Sequence, residues 1–151
     1  MAKKEVMSFD NHAGGITAAT VVNVDGRVGP HGENRFADVL LVQSLFKYIQ
    51  LGGMKIHLGS ITIPKLDGAF GPKTAHAILH FQQIHARRVL RTDGIIHPAS
   101  YAGRKIKDLG ARVMTITQLH FCAMDAALML NDNDYVAGLA RIEPRLGPFL
   151  K

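Results

Sequence analysis

A chain of 151 residues has the length of one domain, or of one small domain with an appendage. Apolar residues make up 47% and charged residues 20%, which supplies a core and excludes wholesale disorder. The formal charge of +6 favours anionic partners, yet only Arg87, Arg88 and Arg91 group tightly, which excludes an arm-like nucleic-acid tail.

In chain order, residues 1–33 are Gly-rich and weakly periodic. They read as an extended lead-in with one short strand at 16–24, where Val21, Val22 and Val24 are β-branched. No apolar stretch follows Lys3 and Lys4, so no secretory signal is expected. No apolar run reaches the ~18 residues of a membrane span. The expectation is synthesis in the cytoplasm. A role in the periplasm or at the wall would then need a non-classical route, such as a contractile secretion system or a phage lysis pathway. Asn34 is placed to cap the helix that follows.

That helix starts near Asp38, with Val39, Val42, Leu45, Phe46 and Ile49 at three- and four-residue steps, and ends at Gly52 and Gly53. Ile56, Leu58, Ile61 and Ile63 then alternate around Gly59 and Ser60, which predicts a small β-hairpin closed by Pro64. A second helix runs from Pro72 through about Arg88, with Ala75, Ile78, Phe81 and Gln82 on one face. A third, shorter one is expected near 100–109. Residues 112–130 are apolar nearly all round, which suits a core helix or a partner interface. The run NDND at 131–134 stops it. The tail carries one short helix and a Pro-punctuated end.

One short unit recurs. DGRVGP stands at 25–30, DGAFGP at 67–72 and DGIIHP at 93–98. Asp-Gly is a turn pair, because the Asp side chain caps the following backbone and Gly takes a positive φ. Proline in sixth place fits the first turn of a helix. Thr74 and Ser100 follow the second and third prolines at the same offset, where their hydroxyls can serve first-turn backbone groups. The first copy is separated from its helix by seven residues, and leaves open whether it is a structural copy or a coincidence of Gly and Pro usage.

The order DVLLVQSLF, DGAFGPKTAHAILHFQ, DGIIHPASY resembles the peptidoglycan-binding-like domain appended to bacterial wall hydrolases. The positions that carry the resemblance are Val42, Gln43 and Leu45; Asp67, Gly68, Phe70, Gly71 and Thr74; Phe81 and Gln82; and Asp93 and Gly94. It covers about 34–107. Three departures stand out: the inserted 54–64, His97 where the second turn usually has Gly, and both chain ends. The resemblance implies a mainly α fold. That fold is a compact three-helix module at 34–110 with the small β-hairpin insertion, preceded by a lead-in at 1–33 and followed by an extra apolar helix in 111–151. It also implies non-catalytic binding of peptidoglycan, glycan or stem peptide. The ligand-binding residues would be Gln43, Asp67, Gly68, Phe70, Gly71, Thr74, Gln82, Asp93 and Gly94.

Read without the resemblance, the same Asp and Gly residues are turn structure, Phe70 and Phe81 are core, and a buried Gln43 or Gln82 amide must find partners. Catalysis is not expected. Glu5, Glu33 and Glu143 are the only glutamates, and none belongs to a placed carboxylate pair. No nucleophile elbow and no Walker loop is present. No cofactor or metal is expected either. His76 and His80 share a helix face, but that face is the polar stripe opposite Ile78 and Phe81. His57, His97 and His120 are isolated in sequence, and the lone Cys122 reads as a small buried apolar residue. The alternative function is a protein–protein adaptor that keeps the fold without the sugar site, with a partner or a second copy on the 112–130 helix. A nucleic-acid binder ranks last, since no helix carries a basic and amide face.

Overall fold

The computed structural model describes residues 2–10, 16–100, 105–106 and 112–151. The protein is mainly helical, with a small sheet near its N-terminus. Strands β1 (Lys3–Asp10) and β2 (Ile16–Asn23) form an antiparallel hairpin in which Lys3 faces Asn23. The two-residue β3 (Lys105–Ile106) adds to β1 in parallel, in the order β2-β1-β3. The helices are α1 (Phe36–Leu51), α2 (Lys55–Leu58), α3 (Pro72–Ile84), α4 (Thr115–Met129) and α5 (Tyr135–Ile142), followed by a 3₁₀ helix at Pro144–Phe149. Among the described residues, no helix is long and apolar enough to cross a membrane.

All-round burial, expected of the C-terminal apolar helix, is found there from Thr115 to His120 and extends further on α1. Every residue from Ala37 to Phe46 is buried, so α1 is the axis of the core. α4 lies along it, burying Ile116, Leu119, Ala123 and Ala126 while leaving Leu128 and Met129 exposed. The two helices come very close where α1 ends: a Cβ on Gly52 would stand 2.6 Å from that of Ala126. Phe46 and Phe81 meet edge to face with ring centroids 5.8 Å apart and tie α3 to the same axis. Val22, Val24 and Val28 from the N-terminal side and Leu139, Leu146 and Leu150 from the C-terminal side join one apolar cluster. The core is therefore continuous across positions 33 and 110.

Three expected elements differ. The hairpin expected at 54–64 is absent, and the hairpin of this protein is β1–β2, in what was expected to be an extended lead-in. Gly53 and Gly59 take positive φ and bracket the single helical turn α2. Local bonds from Gly59 N–H to Lys55 O and from Ile61 N–H to Leu58 O use backbone groups that a ladder would need. Ile56, the first of the alternating apolar residues, is 80% exposed. The helix expected near 100–109 is replaced at 105–106 by β3, and 101–104 and 107–109 lie outside the described residues. Asn23 explains the start of that segment. Its amide donates to Ala99 O (2.7 Å) and accepts from Ala99 N–H (3.0 Å), which consumes the backbone of the would-be first helical turn. Finally, Asn34 does not cap α1. It takes φ +47 and closes the preceding loop, accepting from Gly29 N–H and donating to Gly29 O.

Candidate functional site

The three Asp-Gly turns are held by one device. In each, a buried polar side chain on a helix takes the turn's backbone N–H groups. The Asp38 carboxylate on α1 accepts from Asp25 N–H (3.0 Å) and Gly26 N–H (2.9 Å). One turn further along α1, Gln43 Oε1 accepts from Asp67 N–H (3.1 Å) and Gly68 N–H (2.9 Å). On α3, Gln82 Oε1 accepts from Gly94 N–H (2.7 Å).

The amide nitrogens complete the brace. Gln43 Nε2 shares its hydrogens among Asp67 Oδ1, Ala69 O and Thr74 Oγ1, all at 3.0–3.1 Å. Gln82 Nε2 donates to Ile95 O and Thr115 Oγ1 at 3.0 Å, with a long 3.5 Å contact to Asp93. Gln43 and Gln82 are thus equivalent struts, each joining its own helix to a turn and to a hydroxyl in the first turn of a later helix, α3 or α4. The hydroxyl that Gln82 meets is that of Thr115 at the start of α4. Gly68 (φ +70) and Gly94 (φ +76) sit in the left-handed region, as expected of these turns. Gly26 does not. In the first copy Gly29 has the unusual backbone (φ +153), and a Cβ there would meet Gly94 O at 2.8 Å. The first copy shares the brace but not the turn geometry, and its Pro30 opens no helix.

The expected site residues therefore divide. Gln43, Thr74 and Gln82 are buried. The amides of Gln43 and Gln82 are committed to the protein's own backbone and side chains. Asp67 and Asp93 reach solvent, Phe70 and Gly71 are half-buried, and Gly68 and Gly94 are buried beneath them. Hydrogen bonds from Ala69 N–H and Gln43 hold the Asp67 carboxyl below the usual carboxylate range. Burial pushes Asp93 the other way, but bonds from His97, Ile95 N–H and Gln82 together bring it below that range too.

Beside the second turn lies an open groove of about 370 Å³, lined by Pro64, Lys65, Asp67, Ala69, Gly71, Pro72 and Lys73, with Gln43 and Thr74 beneath. The inserted segment supplies one wall, Pro64, and then turns away to the far end of α3, where Gly59 faces Ile84. It borders the groove without filling it. A larger hollow of about 570 Å³ lies between Lys4, Thr20, Leu128 and the 132–136 turn, and contains none of the expected site residues.

At that far end of α3 the fold assembles a second polar cluster. His57 on α2, His85 just after α3 and Cys122 on α4 each bring one potential ligand atom within 4.8 Å of the others. Burial lowers the basicity of His85 and pushes the Cys122 thiol up to about 12. His57 and Cys122 are isolated in the sequence and meet only in the fold. His85 was passed over, although it continues the Ile78–Phe81 face at a four-residue step. His76 and His80 lie edge to face on α3, 5.5 Å apart, outside this cluster.

No family model, curated protein or solved structure matches the chain.

Proposed function

We propose that the chain binds bacterial cell-wall peptidoglycan, glycan or stem peptide, without catalysis, through the groove beside the second Asp-Gly turn, as a member of the peptidoglycan-binding-like class. The observation that carries this is the combination of a rigid, amide-braced turn with an open groove on its solvent side. Ala69 and Pro72 are exposed and offer apolar surface to sugar faces or to the methyl groups of a peptide, with Pro64 buried in the wall behind them. Lys65 and Lys73 flank it with positive charge for peptide carboxylates, and Asp67 keeps its second carboxylate oxygen for hydroxyl or amide donors. The charge of +6 favours approach to an anionic wall. Delivery to the wall is part of the same proposal.

The test is co-sedimentation with purified insoluble sacculi. The protein is expected in the pellet. Joint Lys65→Glu and Lys73→Glu substitution, at two exposed positions, is expected to weaken retention at least about tenfold with the unfolding temperature unchanged. Wild-type protein left in the supernatant overturns the reading.

One observation favours the adaptor alternative. Leu128 and Met129 are 79% and 70% exposed at the end of α4, where Leu128 lines the hollow of about 570 Å³. A stoichiometric protein partner together with no sacculus retention selects it.

A further inference from the structure

We infer that His57, His85 and Cys122 form a site for a thiophilic divalent cation of the zinc class, with the fourth coordination position open to solvent. This inference does not rest on wall binding. Imidazole nitrogen and cysteine sulfur are both zinc ligands, and binding releases the Cys122 proton to solvent as the Zn–S bond forms.

Three independent observations carry it. The first is convergence: the three ligand atoms come from α2, the end of α3 and α4, and lie within 4.8 Å of one another. A tetrahedral zinc centre needs separations of about 3.5 Å, so each atom moves inward by under about 1 Å. The second is the orientation of the rings. His85 Nε2 meets the His57 carbonyl oxygen at 2.9 Å, and a carbonyl only accepts, so that nitrogen carries the proton and Nδ1 keeps its lone pair. His57 Nε2 meets Asp125 Oδ2 at 2.9 Å, which fixes that ring in the same sense. A carbonyl or carboxylate behind each imidazole is the arrangement that aims metal-binding histidines.

The third observation is Gln118. Its amide nitrogen stands 3.2 Å from His85 Nδ1 and 3.8 Å from Cys122 Sγ, between the two donor atoms. Its own Oε1 is buried and finds no hydrogen-bond partner among the described residues. A buried amide positioned for its own sake does not leave its carbonyl unpaired. Here the positive end of the amide dipole fills the place where electron pairs converge, the place a cation takes. An open groove of about 400 Å³, lined by His57, His85, Gln118, Cys122 and Asp125 among others, provides entry. Cys122 is the chain's single cysteine, so no internal disulfide competes for its sulfur. A cation here ties the inserted α2 to the end of α3 and the middle of α4.

Chelator-treated protein titrated with Zn²⁺ by calorimetry, and with Co²⁺ by absorption, tests the site. One equivalent of each is expected, with a thiolate-to-Co²⁺ charge-transfer band. Cys122→Ala removes that band. His57→Ala, at a half-buried position that leaves the core intact, weakens Zn²⁺ binding at least about 100-fold. Asp125→Asn, which alters only the outer partner of His57, weakens it about 10- to 100-fold. Joint His76→Ala and His80→Ala substitution leaves the isotherm unchanged. No binding by the wild type, an unaltered isotherm for His57→Ala, or loss of binding in the His76/His80 variant overturns the inference.

Discussion

The turn at Asp67 and the turn at Asp93 share their sequence pattern, their left-handed glycine and their glutamine brace, yet they present different surfaces. The chain termini make the difference. The turn at Asp67 is backed by the C-terminal segment: Arg145 donates to Leu66 O at 2.8 Å and lies over the Phe36 ring, leaving the outer side open as the groove. The turn at Asp93 is covered by the first Asp-Gly segment. Val28 and Ile96 exchange backbone hydrogen bonds at 3.0 and 2.8 Å, and Gly29 packs on Gly94 so closely that a side chain does not fit. His97 then closes over Asp93 at 2.9 Å. The repeated unit sets a turn, and what lies against it decides whether a binding edge remains.

The largest expected effect comes from removing the braces. Gln43→Leu keeps the volume but leaves two turn N–H groups and a buried hydroxyl without their partner. Each unsatisfied buried group costs about 1–3 kcal/mol, so a loss of about 4 kcal/mol is expected in urea unfolding. Gln82→Leu likewise strands the Thr115 hydroxyl and Ile95 O, but it frees a single N–H instead of two and breaks a weaker contact to Asp93, so it is expected to lose about 1 kcal/mol less. Equal losses, or losses under about 1 kcal/mol, would show that the two turns hold themselves and that the glutamines are incidental.

Much of this comparison was legible in the sequence. The helices α1, α3 and α4 follow from three- and four-residue apolar steps, because each carries enough apolar surface to make the period visible. The glycine conformations at 68 and 94 follow from the Asp-Gly pair. What was hidden depends on partners distant in sequence. Asn23 binds Ala99 across 76 positions and cancels a local helix signal. The alternation of Ile56, Leu58, Ile61 and Ile63 mimics a strand, but strand formation needs a neighbour, and the Gly53 and Gly59 turns leave none in reach. The bond from Gln82 to Thr115 spans 33 positions, because β3 and its flanks intervene before the next helix begins. The His57, His85 and Cys122 cluster has no sequence spacing at all, since it is made by three elements meeting.

Comparing the two turns at low pH needs the background of the whole protein, and His120 dominates it. The ring is buried in α4, bonded through Nδ1 to the Tyr135 hydroxyl, with Nε2 unpartnered, and burial lowers its pKa to about 4. The unfolded chain, with histidine near its ordinary 6.5, binds the proton first as pH falls. Stability is therefore complete above about pH 6.5 and declines between pH 6.5 and 4, by about 3 kcal/mol in all. His85, also lowered by burial, adds in the same direction. His120→Gln is expected to flatten most of that slope in unfolding measured across pH. The lowered carboxyls of Asp67 and Asp93 contribute stability that is lost only further down, as pH falls below the ordinary carboxylate value near 3.8. A slope that persists unchanged in His120→Gln would assign the transition to other groups.

The smallest and most discriminating effect separates the two glycines. Any alanine in the left-handed region costs about 1–2 kcal/mol. At Gly94 that is nearly the whole cost, because a new Cβ would find nothing nearer than Leu79 Cδ1 at 4.0 Å. At Gly68 the Cβ would stand 2.3 Å from the Phe36 ring. Phe36 is half exposed and can swing aside, but it then leaves the Arg145 guanidinium, 5.6 Å above its centroid. That stacking is worth about 0.5–1 kcal/mol at an exposed site. Gly68→Ala is thus expected to cost about 1 kcal/mol more than Gly94→Ala, and Arg145→Ala should shrink the gap by removing beforehand what Phe36 would lose. A gap that survives Arg145→Ala in full would place its cause in the backbone of the turn and not in the C-terminal segment packed behind it. The contrast between the two turns would then be a local property after all.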